Sequence, residues 1–177
     1  MSHYTFTDQF RAIYDKGLEQ YANGLRGAET FFDKTETAFL AANGITAQHL
    51  YDYAEDATNY DDPTYERALA IELVRRDYFL NVQKGKARKV IADVDSWPEK
   101  SDEINGIVWL PRILPKARAK LRGELPASTM YSCGGDRRFF TTNDIEPSEF
   151  LSLIWRHLDD DQAIIDWVVA RAKSSSV

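Results

Sequence analysis

The residues best equipped for chemistry stand together in the second half of the chain. Tyr131-Ser132-Cys133-Gly134-Gly135-Asp136-Arg137-Arg138 sets the only cysteine beside two glycines, a carboxylate and two guanidinium groups. Glycines ahead of Asp136 would present backbone amides at a helix start, a geometry that receives an anion. A thiol at such an end, beside cations, could serve as nucleophile or redox sensor, working with Asp136 and Arg137. The plainer reading makes Asp136 the N-cap, the glycines the turn and Cys133 a small buried hydrophobe. The preference of free cysteine for protein interiors favours the plainer reading. A nucleophilic cysteine also needs a base, and His3, His49 and His157 lie far away in sequence.

Just upstream, Leu110, Ile113, Leu114, Ala117 and Leu121 fall on one helical stripe, while Arg112, Lys116, Arg118, Lys120 and Arg122 occupy the rest. None of these cations has an acid three or four residues away except through Glu124, so the ion pairs that usually support a solvated face are missing. From Ile107 to Phe140 seven basic residues face two acids, in a chain whose net charge is −6. One reading joins Arg112, Lys116 and Arg118 to Tyr131, Gly134, Gly135, Arg137 and Arg138 as an anion-receiving surface. The plainer one is a solvated basic face, neutralised by the acids between Asp93 and Glu103.

Other chemistries find little support. One cysteine and three scattered histidines offer no ligand pair at metal spacing, so no metal is expected. Asp93-Val94-Asp95 with Glu99 has the acids of a calcium loop, but Pro98 stands where the loop needs glycine. Neither GxxxxGK[ST] nor GxGxxG occurs, and no cofactor is implied. The acids at Asp61-Asp62 and Asp159-Asp160-Asp161 sit where helix starts want negative charge.

Composition frames these residues. The chain has 177 residues, 44% apolar and 28% charged, the profile of one globular domain. Its 12% aromatic content predicts a core of large rings anchored by Trp109, Trp155 and Trp167. A lone cysteine excludes an intrachain disulfide and favours a reducing, cytoplasmic setting. The first residues have no signal-peptide pattern, and Ile107-Val108-Trp109-Leu110 is too short to span a bilayer, so no membrane partner is expected.

The positioning elements read as helices. Phe6, Phe10, Ile13, Tyr14, Leu18 and Tyr21 predict a helix over 6–22, broken by Gly24 and Gly27. Asp33 with Glu36 forms a capping box for a helix to Ala42, stopped at Asn43-Gly44. Thr46 caps the next helix, Ala47 to about Ala57. Pro63 is placed as the first residue of the longest helix, which runs to about Val82 and is apolar over a wide arc. Lys89 to Val94 is a candidate short strand. Pro111 opens a helix that Pro115 kinks or restarts. Helices near 148–157 and 160–172 follow, then a frayed tail.

Two windows a hundred residues apart resemble each other. Phe39/Phe139, Asn43/Asn143 and Ile45/Ile145 are identical, and Leu40/Phe140 and Leu50/Phe150 are alike. Either a helix-turn-helix unit is duplicated, or one tight corner demands the same residues twice; base rates favour the corner.

The run Leu110-Pro111-Arg112-Ile113-Leu114-Pro115-Lys116-Ala117-Arg118-Ala119-Lys120-Leu121-Arg122-Gly123, then Tyr131, Cys133, Asp136 and Phe139, then Ile145 and Trp167, resembles the bacterial family called domain of unknown function 5069. There an LPR…KARAKLxG helix precedes a YxCxxDxRF turn and a further helix. The likeness covers about Ile104 to Ala172, with Gly134 where the family often has proline. It implies a family without implying an activity.

The sequence therefore predicts an all-α fold: an irregular orthogonal bundle of about six or seven helices with room for one short strand or hairpin. It reads as a single domain over 1–177, with an N-terminal helical half at 1–83 and an irregular connection at 84–106. A family-like half at 107–172 and a tail at 173–177 complete it. The leading functional expectation is a non-catalytic binding or interaction module for an acidic protein partner or a small anion. A Cys133-dependent enzyme or redox sensor is the alternative, and nucleic-acid binding through the Asn43 and Asn143 corners ranks behind.

Overall fold

The structure, a computed structural model, describes residues 3–174. It is all-α with one small hairpin, and it divides into two compact units, Met1–Ala87 and Arg88–Val177. Eight α-helices occur among the described residues, and none is long and apolar enough to cross a membrane.

In the first unit, α1 (Phe6–Ala22) buries Phe6, Phe10, Ile13, Tyr14 and Tyr21 at the expected spacing. Its apolar stripe packs on α3 (Ala47–Tyr60). Between them, α2 (Lys34–Ala42) opens with the expected capping box: Asp33 accepts from the amides of Thr35 and Glu36, and Glu36 accepts from the amide of Asp33. Thr46 caps α3, which runs three residues past the expected Ala57 and ends at Asp61 in the left-handed region.

Helix α4 (Tyr65–Asn81) departs from expectation at its start. Thr64 is the N-cap, its hydroxyl accepting from the amide of Arg67, and Pro63 stands outside the helix. The Pro63 carbonyl instead accepts from the Tyr14 hydroxyl at 2.8 Å. The apolar arc is also narrower than the sequence suggests. Leu73 and Val82 are exposed, while Glu72, Arg75 and Arg76 are buried. Glu72 accepts from Tyr53 at 2.7 Å, and Arg76 donates to Asn43 at 2.6 Å. Partnered charges have taken places that periodicity assigned to aliphatic side chains.

In the second unit, no strand forms at Lys89–Val94. Val90 and Ile91 are exposed there, and no facing chain completes a ladder. The hairpin lies further on: β1 (Glu103–Ile104) pairs antiparallel with β2 (Ile107–Val108) around Asn105-Gly106, both at positive φ. That dipeptide is what a tight primed turn requires. Helix α5 (Leu110–Arg122) continues unbroken through Pro115 and packs on α7 (Pro147–Arg156). Helix α6 (Gly134–Thr142) precedes α7, and α8 (Asp161–Ser174) follows. Lys173 and Ser174 thus belong to a helix, and the remaining residues of the expected tail lie outside the described ones.

Both cores are built from phenylalanine, tyrosine and aliphatic side chains. Phe6, Phe10 and Phe39 stack in the first; Tyr131, Phe139, Phe140 and Phe150 meet edge to face in the second. Trp109, Trp155 and Trp167 are only half-buried, a correction to their expected role as core anchors. Large indoles with a polar edge settle at the margin of such a core more readily than inside it.

The two corners flagged in the sequence share one geometry. Asn43 ends α2 at φ −108° and ψ 8°; Asn143 ends α6 at φ −104° and ψ 7°. Each side-chain amide donates to the carbonyl four residues back, at 2.8 Å for Phe39 and 2.7 Å for Phe139. Ile45 and Ile145 then donate backbone N–H groups to Leu40 and Phe140.

Candidate functional site

The expected basic face of α5 is largely internal. Lys116 and Lys120 are 5% and 2% exposed. The Lys116 ammonium lies 2.6 Å from Asp136 Oδ2 and donates to Cys133 Sγ at 3.2 Å. Arg118 pairs with Asp161 and donates to the Leu158 carbonyl. Arg112 donates to the Pro98 carbonyl at 2.7 Å and sits over the Trp97 ring. The acids paired with Lys116 and Arg118 therefore come from α6 and α8, and the Asp93–Glu103 segment offers Arg112 a carbonyl.

The expected cap at Asp136 is also rearranged. Cys133 holds the N-cap position with no side-chain cap bond, and Gly134 and Gly135 are the first two helical residues rather than the turn. Asp136, fully buried at the third position, reaches back to the amide of Ser132 at 2.8 Å. Its other oxygen accepts from the Trp109 indole N–H at 2.9 Å. One carboxylate thus ties the end of the hairpin segment, α5 and the α6 entry together. Cys133 is half-exposed, not buried as the plainer reading had it. Tyr131 is buried, its hydroxyl donating to the Pro147 carbonyl at 2.8 Å, and burial holds that hydroxyl well above its ordinary pKa. Arg137 donates to the Ser132 carbonyl.

The remaining candidate, Arg138, is different. It is exposed and lines a cleft of about 600 Å³ bounded by the hairpin, α6 and the end of α8. Ile107, Val108, Trp109, Phe139 and Ala172 supply apolar wall, and Gly106 and Gly135 bring bare backbone to it. Lys100, which the sequence reading passed over, stands on the same cleft. Among the described residues no carboxylate lines the cleft, nor does Cys133. Trp109 owes its place to two features: a left-handed backbone at φ 76°, and Gly135, where an added Cβ would lie 2.5 Å from the indole. Among the described residues, no group of three or more His, Cys, Asp or Glu is placed to hold a metal ion.

Helix, corner and buried carboxylate all lie in the segment whose motifs resemble a known family. Residues 99–177 match the family model described as Domain of unknown function (DUF5069). The DUF5069 match begins slightly before the expected Ile104 and takes in the hairpin, α5 to α8, and the whole cleft lining. It leaves Met1–Ala87 entirely outside. No curated protein and no solved structure matches the chain.

Proposed function

We propose that this protein is a non-catalytic binding module whose second unit takes a small organic anion with an apolar body into the Trp109–Arg138 cleft. The observation that carries this reading is the pairing of an apolar wall with two cations, Lys100 and Arg138, and no acid among the described lining residues. Such clefts, largely apolar with a few placed polar groups, are the ordinary form of ligand sites. In a chain of net charge −6 a wall whose described charges are both cationic is a local inversion that an anion would complement. Of the receiving cations, Arg138 is one the sequence emphasised and Lys100 is not, while Lys116 and Arg118 are already committed to Asp136 and Asp161. A cytoplasmic setting, expected from the lone cysteine, suits this reading.

Two other readings are weaker. A Cys133 enzyme needs a base, and the Lys116 group that hydrogen-bonds the thiol is an ammonium held in an ion pair, which donates rather than accepts. Nucleic-acid reading through the corners would need free asparagine amides, yet both are buried and donate to their own helices.

Anilinonaphthalene sulfonate, an aromatic sulfonate that fluoresces when desolvated, is a suitable probe. It should bind the native protein at one site, more weakly as salt rises, and Lys100→Ala with Arg138→Ala should weaken it at least tenfold. Unchanged affinity in the folded double variant would sink the reading.

A further inference from the structure

We infer that the two units are tandem copies of one helical module, its first three helices aligned at an offset of one hundred residues, although the family match covers only the second. Helix α2 occupies 34–42 and α6 occupies 134–142; α3 starts at Ala47 and α7 at Pro147; α1 ends at Ala22 and α5 at Arg122. In each unit the first helix packs on the third.

A recurring corner alone explains the Asn43 and Asn143 geometry. It does not explain agreement outside the corner. Lys16 on α1 lies 2.6 Å from Glu36 on α2, and Lys116 on α5 lies 2.6 Å from Asp136 on α6. Both members of this strut are displaced by one hundred, though each pair spans twenty residues and a loop with no shared sequence. The buried positions keep the same register: Ile13 with Ile113, Tyr21 with Leu121, Phe31 with Tyr131. Large and small side chains are redistributed, with Tyr14, Leu40 and Leu50 in one unit against Leu114, Phe140 and Phe150 in the other. Cores tolerate such exchange when pattern and total volume are kept.

The alignment also sorts the residues around Cys133. Lys116 and Asp136 have counterparts and belong to the scaffold, as positioning residues. Trp109, Gly135 and Arg138 align with Gln9, Thr35 and Ala38, so the cleft chemistry is an elaboration of the second copy; Cys133, outside the cleft, aligns with Asp33. The inference does not depend on the cleft binding anything.

A transplant within the full chain tests it. Residues 133–146 are replaced by residues 33–46, together with Trp109→Gln, so that the incoming Glu36 faces Lys116. A control takes 32–45 instead, one residue out of register, and a third variant replaces 141–146 alone by 41–46. Amide hydrogen exchange should find α5–α7 protection in the in-register chain within about tenfold of the parent, and protection lower by on the order of 100-fold in the shifted chain, where a polar group loses its buried partner. Survival of the corner-only variant with failure of the longer one would reduce the likeness to a repeated turn and overturn the inference. Equal behaviour of the in-register and shifted chains, folded or not, overturns it as well.

Discussion

Trp109 packs so closely on Gly135 that a single methyl group on the glycine would stand 2.5 Å from the indole ring. Gly135 has an ordinary helical backbone at the second position of α6, so alanine there should gain about 0.5–1 kcal/mol of helix propensity. Displacing a packed ring costs more, about 1–3 kcal/mol. Gly135→Ala is therefore expected to destabilise the second unit, with a shift in tryptophan emission, as read by urea unfolding. A net stabilisation would show that the indole moves away freely.

The Tyr14 and Tyr131 hydroxyls set the behaviour in alkali. Burial raises Tyr14 to about 12, and burial with the Asp136 charge nearby raises Tyr131 well above its ordinary value. In the unfolded chain both ionise near the ordinary value of about 10. Their contribution to stability is full below that pH, then falls as pH rises, because the unfolded state releases its protons first. Unfolding midpoints measured from pH 8 to 11.5 should decline, and Tyr14→Phe should flatten part of the slope for the first unit.

Asn43 and Asn143 make the same helix-end bond but carry different burdens. Asn143→Ala loses one buried neutral hydrogen bond and should cost about 1 kcal/mol. Asn43→Ala also strips the acceptor from Arg76, a buried guanidinium, and should cost about 2–3 kcal/mol. Chemical denaturation of the two variants checks the order, and equal costs would contradict it.

Cys133 caps α6 without a side-chain bond, whereas Asp33 caps α2 with two. Serine at 133 can accept from a helical amide, a contribution of about 1 kcal/mol at a good N-cap. Cys133→Ser is expected to be neutral or stabilising in thermal unfolding and to leave probe binding unchanged. A loss of binding would bring the thiol back into the site.

Much of this was readable from residue pattern, and the failures have physical causes. α1, α2 and the starts of α3 and α7 were legible because caps and periodicity agreed there. Pro63 misled because proline fits both the first helical position and the residue ahead of a cap, and the Thr64 hydroxyl decided between them. A hairpin was allowed for but not placed: Asn105-Gly106 is its strongest local sign, whereas the candidate strand at Lys89–Val94 forms no ladder, its Ala92 amide donating instead to the Glu124 carbonyl. The basic helix was misjudged for a deeper reason. The acids of Lys116 and Arg118 lie on α6 and α8, and sequence distance hides pairs that only tertiary packing brings together. Lys100 gave no signal of its own, since an isolated lysine before a loop is among the commonest surface residues.

The boundary between Ala87 and Arg88 has an optical consequence. All four tryptophans, Trp97, Trp109, Trp155 and Trp167, belong to the second unit, while eight of the nine tyrosines belong to the first. Each half therefore carries its own native chromophore. Red-edge excitation, which selects indole over phenol, follows the second half alone, and the phenol absorbance follows chiefly the first. The chain comes already labelled for asking whether its halves melt together or in turn.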